Sequence, residues 1–130
     1  MDIQQLSAKF AICRLSSMDG VDLTADFAFL AKTDDEISLV CEAGRIPENA
    51  TAVQRGYSAF KICGQLDFSL VGIVAGIADI LAKARISIFI VSTYDTDYFF
   101  VPSAERDRTA ALLRDAGYRI LDQPQNPLAR

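Results

Sequence analysis

Three observations predict an α+β fold. Residues 57–122 read as β-α-β-β-α-β, with each break marked by glycine, proline or a short polar turn. One segment in that order carries apolar residues at helical spacing. The strands of the first half repeat the spacing of the second, with little helix between them.

The chain has 130 residues, 51% of them apolar and 23% charged. That length can bury a core without disulfides or metals, and the composition is that of a globular chain. Histidine is absent, which removes Ser-His and Cys-His dyads and every His-ligated metal site; neither a metal nor another cofactor is expected. The net charge of −4 argues against a nucleic-acid partner, which calls for a basic face.

In the first half, Phe10 to Leu15 reads as a strand. Phe27 to Lys32 and Glu36 to Cys41 read as a hairpin across Thr33-Asp34-Asp35. A short strand around Ala52 to Arg55 runs on towards Tyr57. The gaps at 16–26 and 42–51 leave room for a helical turn or two. Residues 1–56 are therefore taken as a degenerate copy of the plan in residues 57–122, with 123–130 a tail. A plain N-terminal β-extension is the alternative.

In the second half, Tyr57 to Cys63 alternates as a strand does and is closed by Gly64. Ser69 to Ala84 reads as a helix: Leu70, Ile73, Val74, Ile77, Ile80, Leu81 and Ala84 share one arc, and Asp67 or Ser69 can cap it. Ser87 to Thr93 is apolar on both faces, like a buried strand. Asp95-Thr96 turns the chain, and Tyr98 to Val101 returns as the hairpin partner. Pro102-Ser103 ends that strand, Ser103 caps a helix to Ala116, and Gly117 stops it. Tyr118 to Leu121 is a last short strand. This is the split βαβ, ferredoxin-like order: two helices on one face of a four-stranded antiparallel sheet, the other face needing a cover.

Cys13, Cys41 and Cys63 each sit in an apolar run and read as reduced strand cysteines in the interior. The longest apolar stretch, residues 70–82, contains Asp79 and falls short of the roughly 20 residues that span a bilayer. Residues 1–9 lack a signal-peptide core. A cytoplasmic protein with no membrane partner is expected.

Three features can carry chemistry. The turn Gly64-Gln-Leu-Asp-Phe-Ser69 leads into a helix N-terminus, which suits a carboxylate; an ordinary capped turn is the plain alternative. Gly72 and Gly76 share one helix face, where each glycine costs about 1 kcal/mol against alanine, so something approaches closely there, a ligand or simply packing. Ser92-Thr-Tyr-Asp-Thr-Asp97 places two carboxylates two residues apart beside hydroxyls. An Asx turn accounts for Asp95. Asp97 opens a strand of apolar residues and can pair with an ammonium or guanidinium group. No nucleophile–base pair accompanies these acids, so an enzyme is not expected. A helix N-terminus for a carboxylate and an acid for a positive group together fit an amino acid.

The segments Lys61-Ile-Cys-Gly-Gln-Leu-Asp-Phe-Ser-Leu-Val-Gly-Ile and Arg85-Ile-Ser-Ile-Phe-Ile-Val-Ser-Thr-Tyr-Asp-Thr-Asp-Tyr98 resemble the ACT domains of small bacterial tandem-ACT proteins. They are also similar to the CASTOR-type arginine sensors of animals and to aspartate kinase regulatory domains. The likeness is strong over residues 57–121 and reaches the first half only in layout and in its Phe10-Ala-Ile-Cys-Arg-Leu15 strand. It implies a non-catalytic regulatory protein that binds an amino acid, pairs as a homodimer and regulates an enzyme. An assembly module without a metabolite is the alternative. The ligand-binding positions it implies are Asp67, Ser69, Leu70, Gly72, Ile73, Thr93, Tyr94 and Asp97. Ala75 stands where the arginine sensors carry an acid, which counts against arginine as the ligand.

Overall fold

The computed structural model describes residues 1–63 and 72–123. The chain divides into two compact units: Met1–Ser7 with Ser58–Arg130, and Ala8–Tyr57. The divisions fall inside two long strands, β1 (Asp2–Leu15) and β4 (Ala50–Ile62). The sequence reading placed residues 1–7 with the first half; this division by compactness groups them with the second.

The unit Ala8–Tyr57 is a sheet in the order β2-β3-β1-β4, where β2 is Ala28–Lys32 and β3 is Ile37–Glu42. Both hairpin strands are antiparallel and pair from Ala28 opposite Cys41 to Lys32 opposite Ile37. β1 pairs β3 antiparallel, with Ala11 opposite Cys41 and Cys13 opposite Leu39. Alternation along these strands puts Ala11, Cys13, Leu15, Leu39 and Cys41 together in one buried cluster. The gaps at 16–26 and 42–51 contain no α-helix; the second holds only a single 3-10 turn, Ala43–Arg45. The first gap is rich in serine and aspartate and the second is broken by Gly44 and Pro47, so neither short stretch buries enough apolar surface to sustain a helix. Val21 and Ile46 from these connections pack on the cluster instead.

The other unit has the strand order β7-β1-β4-β6-β5, with β5 at Phe89–Ser92, β6 at Asp97–Pro102 and β7 at Arg119–Asp122. The expected sheet had four antiparallel strands; the described residues supply five. Residues 2–5 of β1 lie between β7 and β4, pairing parallel with β7 from Asp2–Arg119 to Gln5–Asp122. The Cys63 N–H donates to the Asp2 carbonyl at 2.9 Å on the other side. Burial explains the insertion: Ile3 and Leu6 are fully buried, and neither would be if the first residues hung free.

Helix α1 is Ile73–Lys83 and α2 is Arg106–Asp115. Ile77 and Leu81 of α1, Ala110 and Leu113 of α2, and Ile3, Phe60, Ile62, Phe99 and Val101 of the sheet form one core. Both helices thus cover one sheet face, as the split βαβ order predicts. Two details differ from the sequence reading. Gly72 is the N-cap of α1 with φ +86°, so its glycine answers a left-handed backbone, not a close approach within the helix. Ser103 opens a 3-10 turn, Ser103–Glu105, makes no capping bond, and pairs its hydroxyl with that of Ser58 at 2.9 Å. Gly117 does end α2, with φ +98° and its N–H on the Arg114 carbonyl at 2.9 Å.

Candidate functional site

Asp97 is the first residue of β6, and the hairpin register sets it opposite Ser92, the last residue of β5. The Ser92 hydroxyl donates to Asp97 Oδ1. The connecting residues 93–96 are closed by the Thr93 N–H on the Thr96 carbonyl at 2.8 Å. The Thr93 hydroxyl reinforces the turn, donating to the same carbonyl at 3.1 Å and accepting from the Thr96 N–H at 3.3 Å. The side-chain bond that shapes this turn therefore comes from Thr93, where the sequence reading credited an Asx turn at Asp95. The buried Thr96 hydroxyl donates to the Ile62 carbonyl, tying the turn to the end of β4.

Asp97 lies at a narrow apolar cleft between α1 and the sheet that is too tight to admit a water molecule, so a ligand meets Asp97 at its edge and not inside it. Its other walls are Ile62, Val74, Ile77, Ile88, Ile90 and Phe99. Among the described residues, Asp97 is the one charged side chain on this cleft. A carboxylate beside apolar walls attracts a positive group more strongly than one in open water, because less solvent screens it.

The implied site residues divide into three sets. Asp67, Ser69 and Leu70 lie outside the described residues. Asp97 lies at the cleft with Val74 and Ile77 of α1, and Thr93 closes the turn before it; of the implied α1 positions, Ile73 packs on the core and Gly72 caps the helix, and neither lines the cleft. Tyr94 stands 99% exposed at the tip of the turn, away from these walls. Residue-type reasoning missed Ser92, Val74, Ile88 and Ile90. Counting a four-residue loop at 93–96 would have paired Ser92 with Asp97.

Gly76 has an ordinary neighbour: a Cβ there would lie 3.6 Å from the Tyr118 hydroxyl. Cys13 and Cys41 are buried and Cys63 is partly buried, all three free. Burial, and then Cys13 beside it, push the Cys41 thiol up to about 12, which keeps it protonated and inert. Among the described residues, no group of three or more Cys, Asp or Glu side chains is placed to hold a metal ion, and no helix is long and apolar enough to cross a membrane.

A family model described as ACT domain matches residues 52–115; a second, described as an N-terminal domain, matches residues 8–49. A solved protein from Agobacterium tumefaciens is 36% identical, with 96% of this chain and 95% of that one covered and a TM-score of 0.82. A protein of unknown function from Vibrio cholerae, described as a possible transport protein, is 19% identical over 88% of each chain, with a TM-score of 0.69. The regulatory subunit of aspartate kinase from Thermus thermophilus, 9% identical, covers 90% of this chain and 97% of its own, with a TM-score of 0.64. At such identity the last two likenesses concern the fold alone. No curated protein matches the chain in sequence. The family match falls on the segment that holds β4, both helices and the Ser92–Asp97 hairpin, and the chain belongs to the ACT domain family.

Proposed function

We propose that this protein is a non-catalytic regulatory module that binds an amino acid and passes the binding state to a partner enzyme. The observation that carries the reading is Asp97: a carboxylate oriented by Ser92 at the edge of an apolar cleft. In this reading the ligand's ammonium group pairs with Asp97, and its carboxylate lies towards the start of the first ACT helix, where free N–H groups favour an anion. Thr93 holds the turn that presents Asp97, and Asp67, Ser69 and Leu70 complete the site. The chain works as a homodimer in the cytoplasm, and the ligand acts by preferring one arrangement of the partners over another. The occurrence of the same fold in a regulatory subunit of aspartate kinase supports a regulatory rather than a catalytic role.

A thermal-shift screen of the twenty amino acids at millimolar concentration tests this. A ligand at 100 times its dissociation constant adds about 2.7 kcal/mol to stability. The expected result is a rise in Tm with one or a few amino acids that Asp97→Ala abolishes. A hit that survives Asp97→Ala sinks the site; a screen without hits favours an assembly module that binds no metabolite.

A further inference from the structure

The unit Ala8–Tyr57 has the strand order of a ferredoxin-like sheet and lacks its helices. Numbered by their place in the chain, its strands run 2-3-1-4 across the sheet, the same order, read from the other edge, as 4-1-3-2. The two connections that carry helices in such a fold are residues 16–27 and 43–49. In the other unit the equivalent connections hold α1 and α2. Here they hold bends, turns and one 3-10 turn.

That replacement buries the cluster itself but leaves its rim thinly covered. The five-residue cluster on β1 and β3 is bordered by Val21, Leu30, Ile37, Ile46 and Val53, all only partly buried. A packed helix layer would close them off, as it does Ile62 and Phe99 in the other unit. Two apolar side chains on the first connection stay in solvent: Met18 is 42% exposed and Leu23 is 63% exposed. Val21 from the same connection packs on the cluster, and these two do not.

The same connections are acidic. They contain Asp19, Asp22, Asp26 and Glu48 against a single base, Arg45. Arg45 is already engaged, its Nη1 2.6 Å from Asp22 Oδ2. Asp22 also accepts from the Thr24 N–H and hydroxyl, and those bonds, the hydroxyl first, hold its carboxyl below the usual range. Asp19, Asp22 and Glu48 line an open cleft of about 580 Å³ between the two connections. Met18 and Leu23 adjoin Asp19 and Asp22 in sequence, and exposed apolar knobs next to the acids of a cleft match a helix with an apolar stripe and basic flanks. An acidic or purely apolar helix would meet like charge or leave these carboxylates desolvated without partners.

We propose that this face docks a basic amphipathic helix of a partner protein, which supplies in trans the helical layer that the unit lacks. Apolar residues of the helix cover Leu23 and Met18, and its Lys or Arg side chains enter the cleft beside Asp19 and Glu48.

The test uses the full chain and a synthetic amphipathic helical peptide of leucine and lysine, followed by backbone NMR and fluorescence anisotropy. The expected result is saturable binding that perturbs residues 16–27 and 43–49 and weakens steeply with salt. Leu23→Ser and the pair Asp19→Asn with Glu48→Gln each weaken it about tenfold or more, while Asp107→Asn, at a fully exposed acid of α2, leaves it unchanged. Circular dichroism of each variant shows that the fold is kept. The proposal is overturned by equal binding of a leucine–glutamate peptide, by an undiminished affinity in the variants, or by no binding below about 1 mM. A concentration-dependent dimer that Leu23→Ser dissolves, seen by sedimentation, also overturns it and makes a second copy the occupant.

Discussion

Arg119 and Asp2, 117 residues apart, form a two-pronged ion pair: Arg119 Nε lies 3.1 Å from Asp2 Oδ1 and Nη2 lies 2.7 Å from Oδ2. They are direct partners in the parallel pairing of β7 with β1. The hydrogen bond from Arg119, more than its bare charge, lowers the Asp2 pKa from 3.8, and the pair correspondingly raises that of Arg119. A carboxyl with a depressed folded pKa adds stability above its unfolded value and loses it as pH falls through the folded one. Asp2→Asn should therefore lower Tm slightly at neutral pH, with the gap to the parent closing as pH drops below 3.8. A gap that persists at low pH would mean that the pair contributes nothing by charge.

Ile3 lies outside the segment that matches the ACT family, yet it is fully buried in that unit's core. Ile3→Ala should cost about 2–5 kcal/mol, the range for a large-to-small core change. Urea denaturation followed by tryptophan-free far-UV circular dichroism measures it. A cost under about 1 kcal/mol would mean that β1 is dispensable to this unit.

Two glycines of the ACT segment should respond in opposite directions. Gly72 sits at φ +86°, where any Cβ is strained, and Gly72→Ala should destabilise by about 1–2 kcal/mol. Gly76 is helical, with only the Tyr118 hydroxyl at ordinary contact distance. Gly76→Ala should stabilise by up to about 1 kcal/mol through helix propensity. Parallel urea titrations decide both signs.

The cysteines should separate by reactivity. Cys63 is partly buried, whereas Cys13 and Cys41 are buried in one cluster. Iodoacetamide on the native protein should modify Cys63 first, and all three in denaturant. Mass spectrometry of the digest reads the sites. Early labelling of Cys41 would contradict a thiol pushed up to about 12 by burial.

The second half was legible because its signals are local. The apolar arc of α1 and Gly117 at a helix end each report their own geometry over a few residues, whereas the turn at 93–96, credited to Asp95 from sequence, is held by Thr93. Asp97 stood out for a similar reason, as a carboxylate at the mouth of an apolar strand. What escaped was non-local. Ile3 and Leu6 look like an unremarked N-terminal run until β7, more than a hundred residues later, supplies a neighbour. Gly72 was misread because positive φ leaves no periodic trace, and spacing alone put it inside the helix. Ser92 was missed because its role depends on its cross-strand partner and not on its neighbours in sequence.

The parallel pairing of residues 2–5 with residues 119–122 also sets a timetable for synthesis. Residues 2–5 leave the ribosome more than a hundred residues ahead of the strand that claims them. Until β7 emerges, the β1 edge that receives it stays open, and open strand edges are where nascent chains mispair. Contacts this distant in sequence also slow folding, since the closure entropy is spent before they form. A stall that delays β7 should thus leave this edge of β1 in need of protection.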